Sequence, residues 1–185
     1  MKKNKKVLRI TLCALFCALT AIGAFIRIPI PMVPITLQYL FTNLAGILLG
    51  KKYGAASVAL YVVLGLIGLP VFTQGGGPGY IFQPTFGYLL GFIAGTWVTG
   101  ALAERKCSVI HYTLAGLAGL GVIYLAGMAY YYILGNYFIH SPIGVKSLIV
   151  TFCLVSLPGD VVLAFLSGVL CRRLVPILKR NALIP

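Results

Sequence analysis

Acidic residues are almost missing from this chain. Of 185 residues only Glu104 and Asp160 carry a carboxylate, against 15 lysines and arginines, and charged residues of both signs make up 9%. A soluble domain of this size needs far more polar surface, so that class is excluded. With a single acid inside an apolar run, an elaborate proton relay has little material. Histidine is as scarce: His111 and His140 flank opposite ends of one apolar segment and cannot form a local metal site together. The five cysteines, Cys13, Cys17, Cys107, Cys153 and Cys171, match neither zinc spacing nor a disulfide scaffold, and they read as small buried hydrophobes. The stretch "GGGPGYIF" lacks the following Lys and Ser/Thr of a nucleotide-binding loop, so any ATP use belongs to a partner. No set of nucleophile, base and orienting group is recognisable, and the chain is not read as an enzyme.

What is there is hydrocarbon. Hydrophobic residues make up 60% of the sequence and the mean hydropathy is +1.01. Long, mostly apolar runs require a bilayer, and because they are continuous rather than alternating they predict helices rather than a barrel. Six segments emerge: Val7–Ile28, Thr36–Gly50, Tyr53–Leu69, Thr85–Ala103, His111–Leu134 and Val145–Cys171. The first follows "KKNKKVLR" and is expected to stay as a retained span rather than leave as a signal peptide. "RIPIPMVP" ends it, since Pro29, Pro31 and Pro34 block helical hydrogen bonding. "KK" at 51–52 marks a turn, and "GNYFIHSP" reads as a loop.

Six spans put both termini on one side. If that side is the inside, Lys2, Lys3, Lys5, Lys6, Arg9, Lys51, Lys52, Arg105, Lys106, Arg172, Arg173, Lys179 and Arg180 all face inward, which is 13 of the 15 cations, with Arg27 and Lys146 outside. This is the asymmetry of the positive-inside rule. The formal charge of +13 therefore reflects topology and anionic lipid, with no compact basic domain to hold nucleic acid. The expected class is all-α, a polytopic membrane protein of six transmembrane helices forming one domain over 1–185, in a cell membrane of bacterial type with both termini cytoplasmic.

Residues 70–84 then fall outside, between the third and fourth spans. Irregular backbone is tolerated at membrane depth only where protein covers it or water reaches it. A loop that is both glycine-rich and aromatic has the look of a lid or pocket wall, with Phe72, Tyr80, Phe82 and Tyr88 able to stack on a flat or apolar solute and Gly79 letting a ligand approach the backbone. An interfacial aromatic belt around a flexible turn accounts for the same residues. Gly87, Gly91 and Gly95 put a smooth stripe on the fourth span, and Ala14 and Ala18 put one on the first; each suits either internal packing or a docking partner.

Asp160 lies deep in the last apolar run, in "SLPGDVVLAF". A carboxylate there is expensive and faces a bundle interior or a cavity, either as a ligand acceptor or paired with a hydroxyl on a neighbouring span. Thr36, Gln38 and Asn43 can hydrogen-bond a solute's amide or urea-like group, or cap and satisfy backbone within the bundle. Glu104 beside Arg105 and Lys106 reads as a surface group or ion-pair partner.

"PMVPITLQYLFTNLAGILLGKKYGAASVALYVVLGLIGLPVF" at 31–72, "GGGPGYIFQPTFGYLLGFIAGTWVTG" at 75–100 and "LPGDVVLAFLSGVL" at 157–170 together resemble the BioY family, biotin-binding substrate subunits of energy-coupling-factor transporters. The resemblance implies an outward-facing biotin pocket, biotin as substrate, and no cofactor held by this chain; the residues read as candidates to line that pocket are Asp160, Gln38, Thr36, Phe72, Gly79, Tyr80, Phe82, Thr85, Tyr88 and Arg27. It implies a transmembrane coupling subunit and two cytoplasmic ATP-hydrolysing subunits as partners, with Ala14 and Ala18 as the docking face, and Asp160 as the aspartate of the family's Pro-Gly-Asp motif. One departure stands out: the family usually carries a lysine three residues after that aspartate, where this chain has Leu163. Arg27 and Lys146 are the outer-side cations left to meet the carboxylate of biotin or of a precursor. A self-sufficient carrier, a membrane scaffold protein and, less readily, an intramembrane enzyme are the competing readings.

Overall fold

The computed structural model describes residues 2–28, 35–104, 107–138, 144–181 and 183–184. The proline loop at 29–34, Arg105, Lys106 and His140 lie outside these residues. Among the described residues five helices are long and apolar enough to cross a membrane, and the chain is an all-α polytopic membrane protein.

Helix α1 (Lys2–Phe25) stops before Arg27, where a two-residue strand β1 (Arg27–Ile28) pairs antiparallel with β2 (Ile35–Thr36), Arg27 opposite Thr36. This ladder delivers the chain to α2 (Gln38–Ile67). Although α2 is one run of helical residues, Gly50 interrupts it with φ 76° and ψ 172°, a conformation open essentially to glycine alone. The helix folds back there. In a straight helix Gln38 and Tyr61 would stand about 34 Å apart at 1.5 Å per residue, yet the Gln38 amide donates to the Tyr61 hydroxyl at 2.8 Å. Gly54 packs against the backbone of Ala45 across the fold, a Cβ at Gly54 lying 2.7 Å from the Ala45 carbonyl oxygen. The two expected segments 36–50 and 53–69 are thus the arms of one hairpin, with "KK" at its tip.

A loop with a 3₁₀ turn (Pro78–Phe82) leads to α3 (Phe86–Ala103), followed by α4 (Val109–Ile133). The glycine stripe lies between these two helices. A Cβ at Gly91 would lie 2.9 Å from the Ile123 Cα, and one at Gly95 would lie 2.7 Å from the Gly119 carbonyl oxygen. That close approach is internal packing rather than a docking face. By contrast Ala14 and Ala18 on α1 are exposed, beside exposed Leu15 and Ile22.

The last third departs from expectation at two places. Residues 135–138, expected in a loop, continue α4 with Leu134 as a π-helical turn (Leu134–Phe138). The expected span Val145–Cys171 is broken into α5 (Val145–Ile149), a second π turn (Val150–Leu154) and α6 (Leu157–Arg180). Pro158 explains the break: it has no N–H to offer Leu154, and its ring crowds that carbonyl. Val155 and Ser156 keep right-handed helical angles, so the path bends without reversing. Helix α6 then runs past Cys171 and through Pro176 to Arg180.

Ends of elements sort by charge. Arg9 on α1 donates to the Tyr53 hydroxyl near the α2 tip and stacks on its ring. At the same end Lys51 meets Glu104 at 3.5 Å, Lys51 partly and Glu104 about half exposed, a contact worth little in stability. The His111 ring bonds the Leu102 carbonyl, and the α6 C-terminus with Lys179 borders the same hollow as Gly50 and Glu104. Between the ends the core is apolar side chains, crossed by buried hydroxyl and amide groups such as Asn43, whose amide donates to Ser167 Oγ at 2.7 Å.

Candidate functional site

A cavity opens at the end opposite the basic one. It is a narrow cleft, with about 60 Å³ of room for water-sized groups inside a hollow of about 590 Å³ that includes open solvent. Its apolar walls come from α3 and α4 through Leu89, Phe92, Leu120 and Ile123. Polar groups enter from four directions: Thr36 and Gln38 from the ladder and α2, Thr73, Tyr80 and Thr85 from the loop, Tyr124 from α4, and Ser156 and Asp160 from the bend into α6.

The loop reaches the cavity because its own contacts fix it. Gly77, at φ 104°, donates its N–H to the Gly65 carbonyl at 2.7 Å, a backbone angle that side-chain-bearing residues rarely adopt. Phe72 and Gly75 exchange backbone hydrogen bonds of 2.9 and 3.2 Å. The Phe72 ring is 1% exposed and fills the notch left by the missing side chain of Gly65. It meets Tyr61 edge-on at 5.4 Å and Tyr80 at 4.5 Å. The Tyr80 hydroxyl in turn sits 3.0 Å from Thr73 Oγ1 and 3.2 Å from Thr85 Oγ1, spanning the loop from its start to the threshold of α3.

Asp160 is 8% exposed. Its Oδ2 accepts a 2.6 Å hydrogen bond from the Tyr124 hydroxyl, and Tyr124 packs edge-on against Tyr88 with ring centroids 6.4 Å apart. One strong donor partly compensates a buried carboxylate, and the group faces a cavity rather than lipid. Gln38 is more fully committed. Its amide nitrogen binds Tyr61, its amide oxygen receives Thr36 Oγ1 at 3.3 Å, and the Tyr61 hydroxyl continues to the Val71 carbonyl at 3.1 Å. This chain ties both arms of α2 to the root of the loop.

Of the ten residues expected at the site, Asp160, Gln38, Thr36, Tyr80, Thr85 and Tyr88 line the cavity. Phe72 stands behind Tyr80 as its support. Gly79 is exposed with open space around its Cα, and Phe82 is 65% exposed and borders a separate apolar hollow with Tyr130 and Phe138. Arg27 is exposed at the rim. Its guanidinium donates to the Thr73 carbonyl, and its backbone partner is Thr36, so both of its contacts belong to cavity-lining residues. Leu163 packs among the core side chains, and among the described residues no cation lines the cavity beside Asp160. Sequence reasoning missed Tyr39, Thr73, Tyr124 and Ser156. Ser156, one helical turn before Asp160, carried a readable signal; Tyr124 is one of 11 tyrosines and carried none. Among the described residues no three His, Cys, Asp or Glu side chains gather to hold a metal.

The likenesses to known proteins agree with one another. A "Probable biotin transporter BioY" of Lysinibacillus sphaericus is 41% identical over 181 residues, covering 97% of this chain and 92% of the relative. The "Biotin transporter BioY" of Thermotoga maritima is 49% identical over 127 residues, 68% of this chain and 73% of its own length. Among solved structures, the crystal structure of an S-component for biotin from an ECF-type ABC transporter superposes with a TM-score of 0.80 at 32% identity, covering 94% of each chain. The model of the BioY family matches residues 1–180, and the chain belongs to that family.

Proposed function

We propose that this protein captures biotin from outside the cell as the membrane substrate subunit of an energy-coupling-factor transporter. The observation that carries the reading is the buried Asp160 carboxylate lining an otherwise largely apolar cavity under an aromatic, glycine-pinned loop. Biotin has matching parts: an apolar bicycle with a ureido edge that donates N–H groups, and a chain ending in a carboxylate. Asp160 accepts from a ureido nitrogen. Gln38 and Thr36 hold the neighbouring wall, Tyr80, Thr85 and Tyr88 flank the bicycle, and Arg27 at the rim meets the carboxylate in place of the lysine that Leu163 replaces.

The hairpin shape of α2 supports counting its arms as two crossings, giving six in all with both termini cytoplasmic. The clustering of cations at the end away from the cavity supports that orientation. In this arrangement Ala14 and Ala18 form the face for a transmembrane coupling subunit, which links the chain to two cytoplasmic ATP-hydrolysing subunits. The exposure of both alanines supports the assignment.

Equilibrium binding of labelled biotin to the purified, folded chain tests the central claim. Dissociation constants below about 1 μM, or roughly −8 kcal/mol, are expected; a folded sample that binds no tighter rejects it. In the same assay Arg27→Gln is expected to weaken biotin while leaving the neutral amide of biotin unaffected. Equal loss for both ligands removes Arg27 from the carboxylate. Ala14→Leu combined with Ala18→Leu should abolish co-purification with the coupling subunit and spare biotin binding; retained co-purification refutes that docking face.

A further inference from the structure

Ser156 is buried at 4% exposure, lines the cavity, and its Oγ has no hydrogen-bond partner among the described residues. That is unusual for this protein. Other hydroxyls on its helices turn back to their own backbone: Thr20 to the Phe16 carbonyl at 2.8 Å, Thr113 to Val109 at 2.9 Å, Ser57 to Gly54 at 2.7 Å and Ser167 to Ala164 at 2.8 Å. This back-bonding is the ordinary way for a helical hydroxyl to satisfy itself. Ser156 follows the π turn and precedes Pro158, where the helical ladder is broken, and it does not make that bond. A buried hydroxyl left unpaired carries a desolvation penalty, and each such group calls for a partner.

The other hydroxyl and amide donors around the cavity are largely spent. Tyr124 donates to Asp160, the Gln38 amide to Tyr61, Tyr39 to the Gly116 carbonyl at 2.9 Å, and Tyr80 lies between two threonines. Ser156 therefore adds an uncommitted donor one helical turn from an acceptor, Asp160, on the same face. A donor beside an acceptor is the complement of a urea edge, whose C=O accepts where its N–H gives. We propose that Ser156 is a specificity-determining residue that donates its hydroxyl hydrogen to the ureido oxygen of the ligand while Asp160 accepts the adjacent N–H. This rests on the biotin reading above and adds to it the atom that distinguishes a urea from its analogues.

The test crosses residue with ligand. Wild type, Ser156→Ala and Ser156→Cys, as full-length purified chains, are titrated with biotin and with 2-thiobiotin, in which sulfur, a poor acceptor, replaces the ureido oxygen. Wild type should prefer biotin. Ser156→Ala should weaken biotin about tenfold and change 2-thiobiotin by less than about twofold, with Ser156→Cys in between. Thermal melting of each variant shows whether the bundle is retained, and Ser156→Cys, nearly isosteric, carries the comparison if the alanine variant does not fold. If biotin binding is unchanged, or both ligands weaken equally in a folded variant, Ser156 does not read the ureido oxygen. If wild type binds neither ligand, the biotin reading fails, and this inference falls with it.

Discussion

Asp160 and Tyr124 show how a single pair sets the character of the cavity. The carboxylate is held at 2.6 Å by one phenol and is otherwise turned toward ligand space, so its value lies in accepting from something that arrives. Asp160→Asn keeps the shape and an oxygen that Tyr124 can still reach, but removes the charge that strengthens the bond to a ligand N–H. Biotin affinity should fall by about tenfold or more, the range for hydrogen bonds to charged groups, with the melting temperature changed by less than about 3 °C. Unchanged affinity in titration makes Asp160 a structural group only. The aspartate was legible in the sequence because a lone acid in an apolar run has few tolerable surroundings. Its partner was not, since nothing local separates Tyr124 from the other tyrosines. Phe72 was misplaced for a related reason: aromatic chemistry predicts stacking, but whether the ring meets solute or a glycine notch is decided by Gly65, seven residues away across a turn.

At the scale of elements, helices and their order follow from continuous apolar runs, and the α2 tip from the "KK" pair that cannot enter hydrocarbon. The π turns at 134–138 and 150–154 left no such mark, because they arise from how backbone hydrogen bonds readjust near Pro158 and the end of α4 rather than from side-chain polarity. The glycines separate into two kinds that sequence cannot tell apart. Gly95 lies against α4, with a Cβ 2.7 Å from the Gly119 carbonyl, whereas a Cβ at Gly121 meets nothing within 4 Å. Gly95→Ala must push α3 from α4 and should lower stability by about 1–3 kcal/mol, as overpacking does. Gly121→Ala should be neutral or stabilising by up to about 1 kcal/mol through helix propensity. Melting both variants in one detergent decides this; equal effects would mean that α3 does not press against α4 at Gly95.

For the molecule as a whole, the cavity and most of the described cations, Arg27 and Lys146 apart, occupy opposite ends, and capture from outside requires the cavity to face outward. The bend at Gly50 is what makes this geometry consistent: with α2 as two crossings, the α2 tip, the α3–α4 connection and the α6 terminus share one side. Four single-cysteine proteins test it, each with the other native cysteines replaced. They carry Lys52→Cys at the tip, native Cys107, Asn181→Cys after α6, and Gln83→Cys in the loop, all four positions being exposed. A membrane-impermeant maleimide should label positions 52, 107 and 181 only in inverted vesicles, and position 83 only in right-side-out vesicles. If position 52 resists labelling from both sides while 107 and 181 react, the bend lies within the bilayer and the chain does not make six crossings. If 83 reacts from the inside, the cavity opens to the cytoplasm, and a chain that meets its substrate there has no means of capturing it from outside.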